Sequence, residues 1–136
     1  MGAPQIVIDV NVLISALMKD GRTRQILVNN RELEFCVPSY YRPEFLKYSG
    51  EFAKRLNRPE KEIRRTMKQV FELARIKEFK RQEYKEFLHE AKQISPDPKD
   101  APYFALALKL NSPIWTNDKL LKSQSKVRII STPEFQ

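Results

Sequence analysis

"IVIDVNVLISAL", residues 6–17, is apolar except at Asp9, Asn11 and Ser15. A carboxylate taken out of water without a partner is strongly disfavoured, so a buried acid protonates, pairs or binds a cation. The pattern also changes period at Asp9. Residues 5–9 are short, β-branched and continuous, which predicts a buried strand, whereas Val10 to Met18 reads as a helix closing at Asp20-Gly21. The acid therefore falls where a strand meets a helix.

Further along, a short helix is expected over Thr23 to Asn29 and a strand over Glu34 to Val37, stopped by Pro38. From Ser39, a good N-cap, the apolar residues Tyr41, Phe45, Tyr48, Phe52 and Leu56 follow helical spacing, with Glu44 in the first turns. Pro59 opens an amphipathic helix with Ile63, Met67, Val70, Phe71 and Ala74 on one face. Tyr84, Phe87, Leu88 and Ala91 mark another. The segment "APYFALALKL" is apolar nearly all round, which predicts a helix buried in the middle of the fold. "SPIWTND" then reads as a strand ending in polar residues, "KLLKSQS" as a short helix and "VRIIS" as a last strand. Four strands separated by helices imply parallel pairing. The expected fold is an α/β three-layer sandwich around a central parallel sheet of four to five short strands.

At 136 residues, 41% hydrophobic and 31% charged, the chain has the length and composition of one soluble globular domain spanning residues 1–136. No run reaches the ~18 apolar residues of a membrane span, and the start lacks a basic region and a small-residue cleavage site. A cytoplasmic protein with no membrane partner is expected. Cys36 and His89 are the only residues of their kinds, which excludes an internal disulfide and a Cys/His zinc site. Any metal here must be held by oxygen.

In parallel sheets ligands collect beyond the carboxyl ends of the strands. Asp9 and Asp118 end strands, while Glu44 and Asp100 begin helices returning from the same edge, so four carboxylates can meet at one rim. Two bare carboxylates ~4 Å apart repel by about 4 kcal/mol at an effective dielectric of 20, which makes such a gathering implausible without cations. Mg²⁺ or Mn²⁺ suits these hard ligands, and either ion can activate water for in-line attack on phosphorus. Each acid also has an ordinary use. Asp9, Asn11 or Asp118 can cap a helix, a surface glutamate such as Glu44 often has no special role, and Asp97 with Asp100 resembles a capping box. Pro102 opposes that register and favours a helix begun at Asp100, which caps with one oxygen and offers the other to a metal.

The charge is uneven. The formal net charge is +8, and between Lys54 and Arg81 eleven Lys and Arg face four acids. Lys54, Arg55, Arg58, Lys61, Arg64, Arg65 and Lys68 are the candidate nucleic-acid contacts, since such a surface attracts polyanions through steering and counterion release. A solvated helix face laced with ion pairs is the ordinary alternative.

The whole chain resembles a PIN domain, the nuclease family that includes the VapC-type toxins of toxin–antitoxin pairs. The resemblance runs through "IVIDVNVLISAL", "YRPEFLKY", "DPKDAPYFALALKLNSPIWTND" and the order of strands and helices between them. It implies a metal-dependent endoribonuclease in which Asp9, Glu44, Asp100 and Asp118 bind Mg²⁺ or Mn²⁺ and Asn11 holds the first acid by hydrogen bonding. Ser15 and Thr116 fall where the family often puts polar residues beside the metal, and Asp97 takes a supporting place. It further implies an RNA substrate, a homodimer and, for a toxin, an antitoxin partner.

Two departures stand out. Val10 replaces a frequent Thr, and Lys119 follows Asp118 where many members carry a further acid, so the site is expected to hold one metal firmly and a second only with substrate. "DVNV" also resembles the phosphatase motif D-x-D-x-V, but Asn11 stands where the second acid is required and no Gly-Asp pair follows the later strand. The remaining alternative is a non-catalytic nucleic-acid-binding domain with a degenerate acidic site.

Overall fold

The computed structural model describes residues 2–17 and 21–135. Its first strand, β1 (Gln5–Ile8), buries Ile6, Val7 and Ile8 together. Side chains on both faces of a strand are buried only where layers cover both sides of the sheet. Helix α1 (Val10–Ser15) follows with Asp9 as its N-cap. The helix ends at Ser15 with Ala16 as its C-cap, short of the expected Met18, and Met18 to Asp20 lie outside the described residues. Gly21 takes φ +70, a left-handed conformation that favours glycine, and starts α2 (Arg22–Asn29).

β2 (Glu34–Pro38) runs one residue further than expected. Pro38 pairs in register with Phe79, and the Ser39 N–H donates to the Phe79 carbonyl at 2.7 Å, so the proline sits where the strand ends. α3 (Tyr41–Leu56) begins after Tyr40, not at a Ser39 cap, and no side chain caps it. Pro43 lies in its first turn, where no intrahelical N–H is due. α4 (Glu60–Ala74) buries Ile63, Met67 and Val70, matching the amphipathic spacing.

The sequence reading missed β3 (Lys77–Phe79), which pairs with β2. Two of its three residues are charged, and an edge strand this short carries no alternating apolar signal. The helix expected around Tyr84 to Ala91 is divided into α5 (Arg81–Tyr84), a 3₁₀ turn (Lys85–Phe87) and α6 (Leu88–Ile94). A 3₁₀ turn (Pro98–Asp100) leads into α7 (Ala101–Leu110). β4 (Ile114–Trp115), a 3₁₀ helix (Lys119–Ser123), β5 (Ile129–Ile130) and a last 3₁₀ turn (Thr132–Glu134) complete the chain.

All five strands are parallel, in the order β3-β2-β1-β4-β5, with helices flanking the sheet. The expected α/β fold class is therefore the observed one. The chain moves outward from β1 through β2 to β3, then returns to place β4 on the other side of β1. That reversal makes β1 and β4 the switch point, beyond whose carboxyl ends parallel sheets of this kind form their ligand crevice. The helices α1 to α4 pack among themselves, and α7 lies against β1, β2 and β4 as the buried spine of the other set. Trp115 is fully buried between Phe35, 5.8 Å away, and Phe135, 4.5 Å away between ring centroids. Among the described residues no helix is long and apolar enough to cross a membrane.

Candidate metal centre

Asp9 extends β1 at this crevice. Its N–H donates to the Trp115 carbonyl at 3.1 Å, which sets it beside the end of β4 and next to Thr116. The side chain is 3% exposed. Its Oδ2 accepts the Thr116 hydroxyl at 2.7 Å, and its Oδ1 accepts the main-chain N–H of Asn11 at 3.4 Å as the cap of α1. The buried acid thus has partners, all of them neutral. Burial raises its pKa, the hydrogen bonds from Thr116 and the backbone lower it less, and the Asp118 charge raises it further.

Thr116 links two acids. Its oxygen also accepts the Asp118 N–H at 3.1 Å, so the loop after β4 is tied to the residue that holds Asp9. Asp118 is exposed and caps the following 3₁₀ helix, Oδ1 accepting the Leu120 N–H at 3.0 Å. Its other oxygen is free of protein hydrogen bonds among the described residues.

Asp97, and not Asp100, is the capping acid of the next segment. Asp97 Oδ1 accepts the Lys99 N–H at 3.0 Å, while α7 starts after Asp100 with no bond from the Asp100 side chain. The expected start of the helix is right and its expected cap is not. The 3₁₀ turn presents Asp97 to the free N–H groups first, so the Asp100 carboxylate has no hydrogen-bond partner among the described residues. Its pKa is pushed up to about 7, by burial first and then by the charges of Asp9, Asp97, Glu44 and Asp118.

Glu44 enters from the first turn of α3 and is half-buried. Its Oε1 accepts the Tyr103 hydroxyl at 2.5 Å. Burial raises its pKa, the Tyr103 bond opposes this, the Asp9 and Asp97 charges raise it, and Lys47 lowers it. The four acids therefore act on one another electrostatically. As the side chains stand, however, no three carboxylate, imidazole or thiol groups among the described residues are spaced to hold a metal ion. Mutual repulsion keeps bare carboxylates apart. Asp9 is fixed by Thr116 and Glu44 by Tyr103, while Asp100 and the second oxygen of Asp118 have no hydrogen-bond partner among the described residues. An all-oxygen donor set of this kind fits a hard divalent cation.

The other candidates are placed less closely. The Asn11 side chain is exposed, and only its main chain touches Asp9. Ser15 ends α1 half-buried, with no side-chain hydrogen bond to the acids among the described residues. Lys54, Arg55, Arg58, Lys61, Arg64, Arg65 and Lys68 are all exposed, along the end of α3 and the outer face of α4. Arg64 pairs with Glu60 at 3.4 Å. Lys54 lies ten residues beyond Glu44 on α3, a distance of about 15 Å at 1.5 Å per residue. Sequence reading missed Tyr103, absorbed into an apolar helix. A tyrosine three residues after a candidate acid was the available signal, because a buried phenol needs a partner.

A PIN domain family model matches residues 7–132. PAE2754 from Pyrobaculum aerophilum has a crystal structure similar to this chain, with a TM-score of 0.69 at 20% identity over 98% of this chain and 89% of that one. VapBC2 from Rickettsia felis, bound to a DNA fragment from their promoter, contains a chain that is also similar, with a TM-score of 0.62 at 16% identity over 93% and 98%. At these identities the likeness is one of fold. No curated protein matches the sequence.

Proposed function

The chain belongs to the PIN domain family, and on that premise we propose that it is a Mg²⁺- or Mn²⁺-dependent endoribonuclease. Asp9, Glu44, Asp100 and Asp118 would hold the ion, with Thr116 keeping Asp9 in place. When bound, the divalent cation supplies charge neutralisation at phosphate and activation of water. Around it the chain's own groups have separable tasks. Asp9 is the fixed ligand, Asp100 and Asp118 close from the two sides of the crevice, and the cations from Lys54 to Lys68 hold the RNA backbone along the α3–α4 hairpin, Lys54 about 15 Å from Glu44 along the α3 axis. The observation that carries the reading is Asp100, a half-buried carboxyl without a hydrogen-bond partner, surrounded by four other acids. No ion pair among the described residues reaches that carboxylate, and a divalent cation would offset its charge.

The Rickettsia felis VapBC2 neighbour supports an antitoxin partner. Exposed Leu46 and Leu73 on α3 and α4 support a homodimer. A cytoplasmic location accords with both.

The absence of a preformed trio of ligands favours one competing reading, a non-catalytic RNA binder with a degenerate acidic site. Labelled RNAs incubated with Mg²⁺, Mn²⁺ or EDTA separate the two. The nuclease cleaves with metal, stops in EDTA, and loses activity in Asp118→Asn and Asp9→Asn. RNA affinity unchanged by chelator and by Asp9→Asn, with no cleavage in Mn²⁺, establishes the binder instead. Equal cleavage by wild type and Asp118→Asn removes the activity claim.

A further inference from the structure

Glu44 and Asp100 reach the crevice from different elements, and one side chain ties them together. Tyr103 stands three residues beyond Asp100 on α7, hence on the same helix face. Its ring is 1% exposed, and its hydroxyl donates to Glu44 Oε1. The Tyr40 ring meets it edge-on, 6.4 Å between centroids. Glu44 is the phenol's sole hydrogen-bond partner among the described residues.

On the premise that these acids bind a divalent cation, we propose that Tyr103 is a positioning residue, whose hydroxyl holds the Glu44 carboxylate turned toward Asp9 and Asp100. Three torsions separate a glutamate carboxylate from its backbone, and an untethered one loses that freedom when it binds an ion. The tether works in both directions. If Glu44 turned out to solvent, a buried phenol would be left unsatisfied, so the two groups hold each other. The bond occupies one lone pair of Oε1 and leaves Oε2 open. A partner behind a metal-binding carboxylate in this manner orients the ligand and sharpens its affinity.

A double-mutant cycle read by calorimetric titration of the full chain with Mn²⁺ tests this. Tyr103→Phe keeps the ring and removes only the hydroxyl, and Mn²⁺ binding is expected to weaken by ~10-fold. Glu44→Ala weakens binding as well, and adding Tyr103→Phe to it produces no further loss, because the residue it positions is gone. Wild-type affinity in Tyr103→Phe, or an equal loss in the Glu44→Ala background, overturns the proposal while leaving metal binding intact. A wild-type chain that binds no Mn²⁺ overturns both the proposal and the metal reading. The unmutated protein supplies an independent readout in proton NMR. The Tyr103 hydroxyl proton is expected downfield and still protected after Mg²⁺ is added, and its disappearance on Mg²⁺ addition would count against the tether.

Discussion

Asp9 and Asp100 show two ways of keeping an acid out of water. Asp9 has neutral hydrogen bonds and little freedom, whereas Asp100 has none and is surrounded by like charge. The second arrangement predicts a pH dependence. Because the folded value for Asp100 is about 7 against an ordinary 3.8, the folded state retains this proton where the unfolded chain has released it. Stability from this group is complete below the ordinary carboxylate range and is lost as the pH rises through about 7. Asp9 and Glu44 shift in the same direction. In EDTA, Asp100→Asn should therefore melt several degrees above wild type at about pH 8 and show a much smaller gap at about pH 5. Scanning fluorimetry measures this, and a gap independent of pH would contradict it. Asp9 was legible in the sequence because an acid in an apolar run demands an explanation. The isolation of Asp100 was not, since it depends on Asp97 reaching the free N–H groups of a 3₁₀ turn first.

Among the elements, those with long-range periodicity were the ones sequence reading located well. α3 and α4 appear where the apolar spacing puts them, and α7 is the buried helix its composition predicts. β3 left no such trace. Its place depends on how α4 ends, where Arg75 takes φ 54 and the Ile76 N–H reaches the Phe71 carbonyl at 3.1 Å. This left-handed turn swings the chain into the strand. An arginine there carries a strain that glycine lacks, so Arg75→Gly should raise the unfolding free energy by about 1 kcal/mol in urea titration. Mn²⁺ affinity should not change, because the turn lies outside the acid crevice. A destabilised Arg75→Gly would show that the arginine side chain contributes more than its backbone loses.

At the scale of the molecule, the candidate cations and the candidate acids sit on different stretches of chain, although α4 returns along α3 and brings Arg64 and Lys68 into the cavity lined by Phe45 and Leu46. The basic residues line the α3–α4 hairpin, and the carboxylates gather at the sheet edge where α3 begins. Binding and chemistry should therefore be separable. Replacing Lys61, Arg65 and Lys68 together by Ala is expected to weaken RNA binding and to flatten the plot of log affinity against log salt by about 2, near 0.7 for each lost phosphate contact. The cleavage rate at saturating RNA should be unchanged. A loss of rate without a change in salt slope would move the RNA path away from α4.

The amino-acid order alone determined the helix faces, the alternation of strands and helices apart from β3, the all-oxygen character of any metal site and the basic stretch. These are local properties, set by residue type and spacing along a few turns. Only the tertiary structure decided that β4 lies against β1, that Thr116 thereby meets Asp9, and that Tyr103 meets Glu44. Each of those pairs joins residues far apart in the chain, and which partner a strand or a phenol finds depends on the packing of the whole sheet, which no local pattern specifies.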